Sequence, residues 1–303
     1  MNKNILKLNS ISKRYGKHLV LDGVNITINR GDIYGLIGRN GAGKTTIMKI
    51  VTGLIQQTSG EICLLNSKPS NAKTLERVGA VIEAPVAYKE MTAYQNMKIA
   101  CELKGISDIG LIQEALKIVN LEETGNKKFK QFSLGMKQRL GIAMSLVSHP
   151  DFLILDEPIN GLDPIAIVEF RDILEKINKE YNTTILISSH ILTELFHVST
   201  HFGFIHNGRM IEELDKESLQ DKFSKALLLK TSNVAQATIA LENLGISSYQ
   251  VINQKEIRIQ TDITIAEINK SLVTSDVPVD MLTQSDYNLE SYYTELIRKI
   301  EEN

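Results

Sequence analysis

The sequence reads as an α/β domain over residues 1–220 followed by a small α+β domain over residues 221–303. Three observations carry that reading. A nearly continuous apolar run at residues 33–37 leads straight into a glycine-rich loop and then an amphipathic helix. Two more apolar runs, 152–155 and 184–188, are separated by helical spacing, the alternation of a mostly parallel sheet. Beyond about Gln220 short strand and helix signals continue, but no chemical motif does.

In chain order, residues 4–8 and 24–28 alternate apolar and polar between turn formers such as Gly16 and Gly31, which predicts antiparallel strands with one wet face. The run at 33–37 is a buried strand. Ile47, Ile50, Val51 and Leu54 then recur at helical spacing, with Gly53 near the expected stop. Residues 84–150 read as a helical insert: Thr92 and Gln95 make a capping box ahead of Met97, Ala100 and Cys101, and Ile112, Ala115, Leu116 and Val119 form another stripe. A helix opens at Asp163-Pro164, and Asn207-Gly208 is the turn of a late hairpin. In the last domain, strands are expected at 226–231, 250–252 and 256–260, and helices at 234–243, 265–272 and 289–300.

The 303 residues carry 34 basic and 36 acidic side chains, a net charge of -2 that gives no global attraction to nucleic acid or anionic lipid. The last domain is acidic, with 8 Lys and Arg against 12 Asp and Glu from residue 221 onward. Cys63 and Cys101 stand far apart without ligand-spaced neighbours, so both read as small buried hydrophobes in a reducing compartment. No apolar run reaches the ~20 residues of a membrane helix, and the first residues lack a signal-peptide segment, so a cytoplasmic chain without membrane insertion is expected.

Gly38 to Thr45 fits G-x-x-x-x-G-K-[ST] between a buried strand and an amphipathic helix, a P-loop in its required context. Gly38, Asn40, Gly41, Ala42 and Gly43 shape a loop whose amides wrap a phosphate chain, with Thr46 just behind. Lys44 reaches the outer phosphates and Thr45 offers a hydroxyl to Mg²⁺, so ATP with Mg²⁺ is the expected ligand. FLILDEP delivers Asp156 and Glu157 to the end of a buried strand, where open α/β sheets keep their chemistry. Adjacent carboxylates need different work: Asp156 suits Mg²⁺, and Glu157 suits a general base on the attacking water.

His190 ends the next apolar strand and is read as a γ-phosphate contact, whereas His18, His149, His197, His201 and His206 read as surface or satisfied core. FSLGMKQRL contains a second anion site, the start of a helix at Ser133 and Gly135 with Lys137 and Arg139 nearby. Leu140, Ala143, Met144 and Val147 form the stripe expected to anchor that helix.

The loop, FSLGM, DEP, GLDP and late histidine, in that order over about residues 5–211, resemble the ABC-type ATPases, nucleotide-binding subunits of membrane transporters. The resemblance implies a P-loop NTPase core with an antiparallel β subdomain and a helical subdomain. It implies an ATP-dependent homodimer, or a pair with a similar ATPase, in which Ser133 and Gly135 of one copy close over ATP in the other. Tyr15 matches the adenine-stacking aromatic, with an ordinary tyrosine as the alternative, and Asp163 the acid that couples the two sites. Two departures stand out: Leu134 and Met136 alter the usual LSGGQ, and in VIEAP the usual glutamine, a Mg²⁺ ligand, is Glu83.

Glu83, FSLGMKQRL and the tail NLESYYTELI resemble one branch, the bacitracin-type and lantibiotic self-protection exporters. That branch implies separately encoded membrane permeases, efflux of an antimicrobial peptide, and a place on the inner face of the cell membrane. Other two-component exporters of drugs, lipids or polysaccharide remain open, as do an ABC ATPase acting on ribosomes or DNA and a P-loop kinase.

Overall fold

The computed structural model describes residues 3–69, 71–224, 226–284 and 289–301; Asn288, the first residue of NLESYYTELI, lies outside them. The chain forms two compact units, Met1–Leu214 and Asp215–Asn303.

The first unit runs β1 (Asn4–Tyr15), β2 (His18–Asn29), β3 (Ile33–Ile37), α1 (Lys44–Val51), β4 (Ser59–Leu64), α2 (Ala72–Leu75), β5 (Val78–Val81), α3 (Ala93–Leu103), α4 (Gly110–Ile118), α5 (Leu134–Leu146), β6 (Phe152–Leu155), α6 (Pro164–Tyr181), β7 (Thr184–Ser189), α7 (Leu192–Val198), β8 (His201–His206) and β9 (Arg209–Asp215). The expected α/β architecture is present. A six-stranded sheet has the order β5-β6-β7-β3-β8-β9. From β5 to β8 its neighbours pair in parallel. Strand β3 lies inside this sheet and every residue of it is buried, which is why its sequence is apolar without alternation. Asn207 and Gly208, both at positive φ, make the tight turn between β8 and β9.

A separate antiparallel sheet, β2-β1-β4, packs its inward residues Leu6, Leu8, Leu21 and Ile26 into one core with Leu36 of β3 and Ile47 and Met48 of α1. Its first two strands reach twelve residues each, longer than alternation alone marked, because β1 passes through register shifts that break the period-two pattern. Cys63 on the third strand is exposed, contrary to expectation; its neighbours Ile62 and Leu64 take the inward face. Cys101 is buried as expected.

Between β5 and β6 the chain is helical. Thr92 and Gln95 form the expected reciprocal cap of α3. Helix α5 is buried on nearly every side, through Gln138, Leu140, Gly141, Ile142, Ala143, Ser145 and Leu146, so the anticipated single stripe understates its packing. Met144, assigned to that stripe, is only half-buried.

The second unit contains α8 (Lys216–Ser224), β10 (Ala226–Lys230), α9 (Val234–Asn243), β11 (Tyr249–Asn253), β12 (Glu256–Gln260), α10 (Ile265–Thr274), β13 (Met281–Gln284) and α11 (Leu289–Glu301). Its antiparallel sheet has the order β11-β12-β10-β13, so β10 to β13 with α9 and α10 make a βαββαβ, ferredoxin-like unit. Leu227, Leu229, Ile257 and Ile259 on one sheet face form its core with Ala237, Leu241, Ile268 and Leu272 of the two helices. Arg258 of β12 donates to Glu295 of α11 at 2.9 Å, and Lys222 of α8 donates to the Tyr292 hydroxyl at 2.7 Å.

Candidate functional site

Strand register assembles the site. Ile37 aligns with Ser189, Leu155 with Ile187, and Val81 with Leu155, so the loop after β3, the acid pair after β6 and the histidine after β7 emerge from the same edge of the sheet.

In the loop, Gly43 caps α1 at φ 110, and a Cβ there would meet Leu21 Cδ2 at 2.5 Å, so both conformation and space demand glycine. A Cβ on Gly38 would press on Ile205 at 2.7 Å. The cradle is therefore main chain, ending in the unpaired amides of a helix start that suits a phosphate chain. Lys44 is buried; its Nζ donates to the carbonyls of Gly38 at 2.7 Å and Arg39 at 3.2 Å. The same ammonium lies 3.1 Å from Oε1 of Glu157 and forms an ion pair with it.

Asp156 is buried, with a partner at each carboxylate oxygen. One carboxylate oxygen accepts from the Thr45 hydroxyl and the other from the Ser188 hydroxyl, both at 2.7 Å. Thr45 and Asp156 thus present adjacent hard oxygen donors, the kind Mg²⁺ takes, one or two at a time, beside substrate phosphates. Among the described residues no group of three or more His, Cys, Asp or Glu side chains is placed to hold a metal ion.

Glu157 has the strained φ of 48°. Its Oε2 lies 2.7 Å from Nδ1 of His190 and also receives the His190 backbone amide at 3.3 Å. Lys44, Glu157 and His190 are therefore connected, as are Thr45 and Asp156.

Glu83, Ser133, Asp163 and Tyr15 lie outside these connected groups. Glu83 does not join Thr45 and Asp156: at φ 66° just past β5, its carboxylate turns toward α1 and accepts from Lys49 Nζ at 2.5 Å. That hydrogen bond raises the Lys49 pKa above the ordinary lysine value, against the opposing effect of burial. Ser133 is exposed and caps α5: its hydroxyl accepts from the Met136 amide at 3.3 Å, which leaves its proton available to donate. Asp163 likewise caps α6 by accepting from Ala166 at 2.9 Å. Tyr15 is half exposed at the end of β1, with Lys13 Nζ 4.8 Å from its ring centre.

Gly135 sits in the first turn of α5, where a Cβ would touch Ala166 of α6 at 3.4 Å and Leu162 at 3.7 Å. The starts of α5 and α6 are thereby seated together, and Arg139 reinforces this with a 3.3 Å pair to Glu169. Glu83, Glu157, Leu134, Lys137 and Asn160 line one pocket between the acid turn and the start of α5.

Sequence reasoning missed Lys49 and Ser188. The signal for Ser188 was a hydroxyl inside a strand otherwise apolar and buried, since a buried hydroxyl needs partners.

Comparisons with known proteins show the family. A family model described as ABC transporter matches residues 21–160. The bacitracin transport ATP-binding protein BcrA of Bacillus licheniformis is 40% identical over 297 residues, 97% of this chain and 97% of that protein. The lantibiotic transport ATP-binding protein SrtF of Streptococcus pyogenes is 46% identical over 229 residues, 75% of this chain and 99% of that protein. Among solved structures, the dimeric post-hydrolysis state of the ATP-binding cassette MJ0796 bound to ADP and Pi superposes with a TM-score of 0.63 at 25% identity, covering 70% of this chain and 98% of that one.

Proposed function

Because the chain belongs to the ABC transporter family as an ATP-binding, ATP-hydrolysing subunit, we propose that it powers efflux of an antimicrobial peptide of the bacitracin or lantibiotic kind. The observation that carries this reading is the likeness to BcrA over 97% of both chains, a span that takes in the second unit as well as the nucleotide-binding one.

In the proposed cycle Lys44 and the loop amides hold the triphosphate, Asp156 and Thr45 hold Mg²⁺, and Glu157, oriented by His190, takes a proton from the attacking water. Bound Mg²⁺ would supply neutralisation of phosphate charge. Two copies, or this chain and a similar ATPase, pair so that the Ser133 to Gly135 helix start of one faces the nucleotide of the other. The Ser133 hydroxyl, an acceptor in its cap and still able to donate, makes that contact together with the Gly135 amide and the helix dipole.

Separately encoded permeases are the proposed partners, placing the chain on the inner face of the cell membrane. Among the described residues no helix is long and apolar enough to cross a membrane. An apolar groove offers a docking surface for a permease: exposed Leu54, Val86, Tyr88 and Leu103 line it beside Lys104 and Pro85.

The test is to express the chain with its neighbouring membrane proteins in a sensitive host and measure inhibitory concentrations of bacitracin and of a lantibiotic. A rise for either that disappears with Lys44→Ala supports the reading. Unchanged sensitivity to both, with the complex assembled in the membrane, defeats it.

A further inference from the structure

The Ser188 hydroxyl occupies an unusual position in this site. It is fully buried near the end of β7, donates to Oδ1 of Asp156 at 2.7 Å, and accepts from the backbone amide of Glu157 at 2.9 Å. A serine hydroxyl has one proton and two lone pairs, so these two bonds use its only donor and one acceptor. They fall on adjacent residues with different tasks, one carboxylate for the metal and one for the water.

The amide it holds belongs to the residue with φ 48°, a conformation that persists in a non-glycine residue only where its surroundings enforce it. The other carboxylate oxygen of Asp156 is held by Thr45, so a short chain of bonds runs from α1 through Asp156 and Ser188 to the backbone of Glu157. The neighbouring hydroxyl acts locally instead: Ser189 Oγ accepts from the Ile191 amide at 2.8 Å, which shapes the turn carrying His190.

We infer that Ser188 is a positioning residue for hydrolysis, its hydroxyl locking the metal-side carboxylate and the strained backbone of the general base into one rigid turn. The inference rests on the assignment of Asp156 and Glu157 to the reaction. It makes a hydroxyl, and not merely a residue of serine's size, the requirement at this position.

Ser188→Val and Ser188→Thr separate the two, because they match in shape and differ in the hydroxyl; Ser188→Ala covers the case in which the extra methyl does not fit. For Val and Ala, kcat should fall by about ten-fold or more while KM for ATP stays within about two-fold, the pattern of a group felt in the transition state. Threonine should recover most of the loss. Independently of turnover, amide hydrogen exchange at Glu157 should accelerate in Val and Ala but not in Thr, and Mn²⁺ with ADP, titrated by electron paramagnetic resonance, should bind more weakly to both.

Wild-type turnover in Val and Ala, or equal loss in Thr and Val with Ala unimpaired, overturns the inference. Glu157→Gln is measured alongside. If that variant also hydrolyses normally, the acid assignment is what has failed; if it is inactive while Val and Ala are active, only the role of Ser188 has failed.

Discussion

Nζ of Lys44 lies 3.1 Å from Oε1 of Glu157, joining the loop after β3 to the turn after β6 across the end of the sheet. The lysine is buried and the glutamate mostly so, which makes this contact less screened than a surface pair. Lys44→Ala should therefore do two things: weaken ATP binding by about 100-fold through loss of a charge-assisted phosphate contact, and leave Glu157 without its cation. An equilibrium titration with fluorescent ATP checks the first; unchanged affinity would remove Lys44 from its assigned place.

Glu157→Gln keeps the shape of the side chain and removes its basicity. Turnover should fall by roughly 10²–10⁴-fold with ATP still bound. Gel filtration with and without ATP then reads the pairing: the variant should elute as a dimer only with ATP, and a monomer under both conditions would contradict the two-copy arrangement.

The Glu83–Lys49 pair is a surface contact, with the glutamate 66% and the lysine 32% exposed. Pairs of this kind contribute about 0–1 kcal/mol, so neither Glu83→Gln nor Lys49→Met should move the thermal midpoint by more than about 2–4 °C. A change should appear instead in ATP turnover, because the pair ties the turn after β5 to α1. Steady-state kinetics identical to wild type in both variants would show the contact to be neutral.

At the far end of β3 the Tyr34 hydroxyl donates to Glu213. Burial pushes the Glu213 carboxyl above its ordinary value, against hydrogen bonds from Tyr34 and the Thr27 amide and the nearby His201. The folded chain thus binds this proton more tightly than the unfolded chain does. The resulting stability is complete below the ordinary value of 4.5 and is lost as pH rises through the raised one. Glu213→Gln retains an acceptor for Tyr34 without the charge, and should gain thermal stability relative to wild type as pH increases. Parallel midpoints across the range would reject the assignment.

Much of this site was legible because each motif terminates an apolar run. The strands at β3, β6 and β7 announce themselves through burial on both faces, and their ends deliver Lys44, Asp156, Glu157 and His190. The strand β5 is only four residues of VGAV, too short for periodicity to separate from a loop. Glu83 went astray for a different reason: one residue at positive φ re-aims a side chain, and nothing in VIEAP marks it. In the second unit β13, MLTQ, has a single half-buried residue, so the strand that completes the ferredoxin-like order left little apolar trace.

The left-handed backbone of Glu157 sets stability and turnover against each other at one position. Glycine or asparagine there would relieve about 1 kcal/mol of conformational strain while deleting the proposed general base and leaving the buried Lys44 ammonium without its carboxylate. Selection solely for heat resistance therefore pulls on position 157 in two directions, releasing strain while stranding the Lys44 ammonium, and a survivor without the acid would be a protein that no longer consumes its fuel.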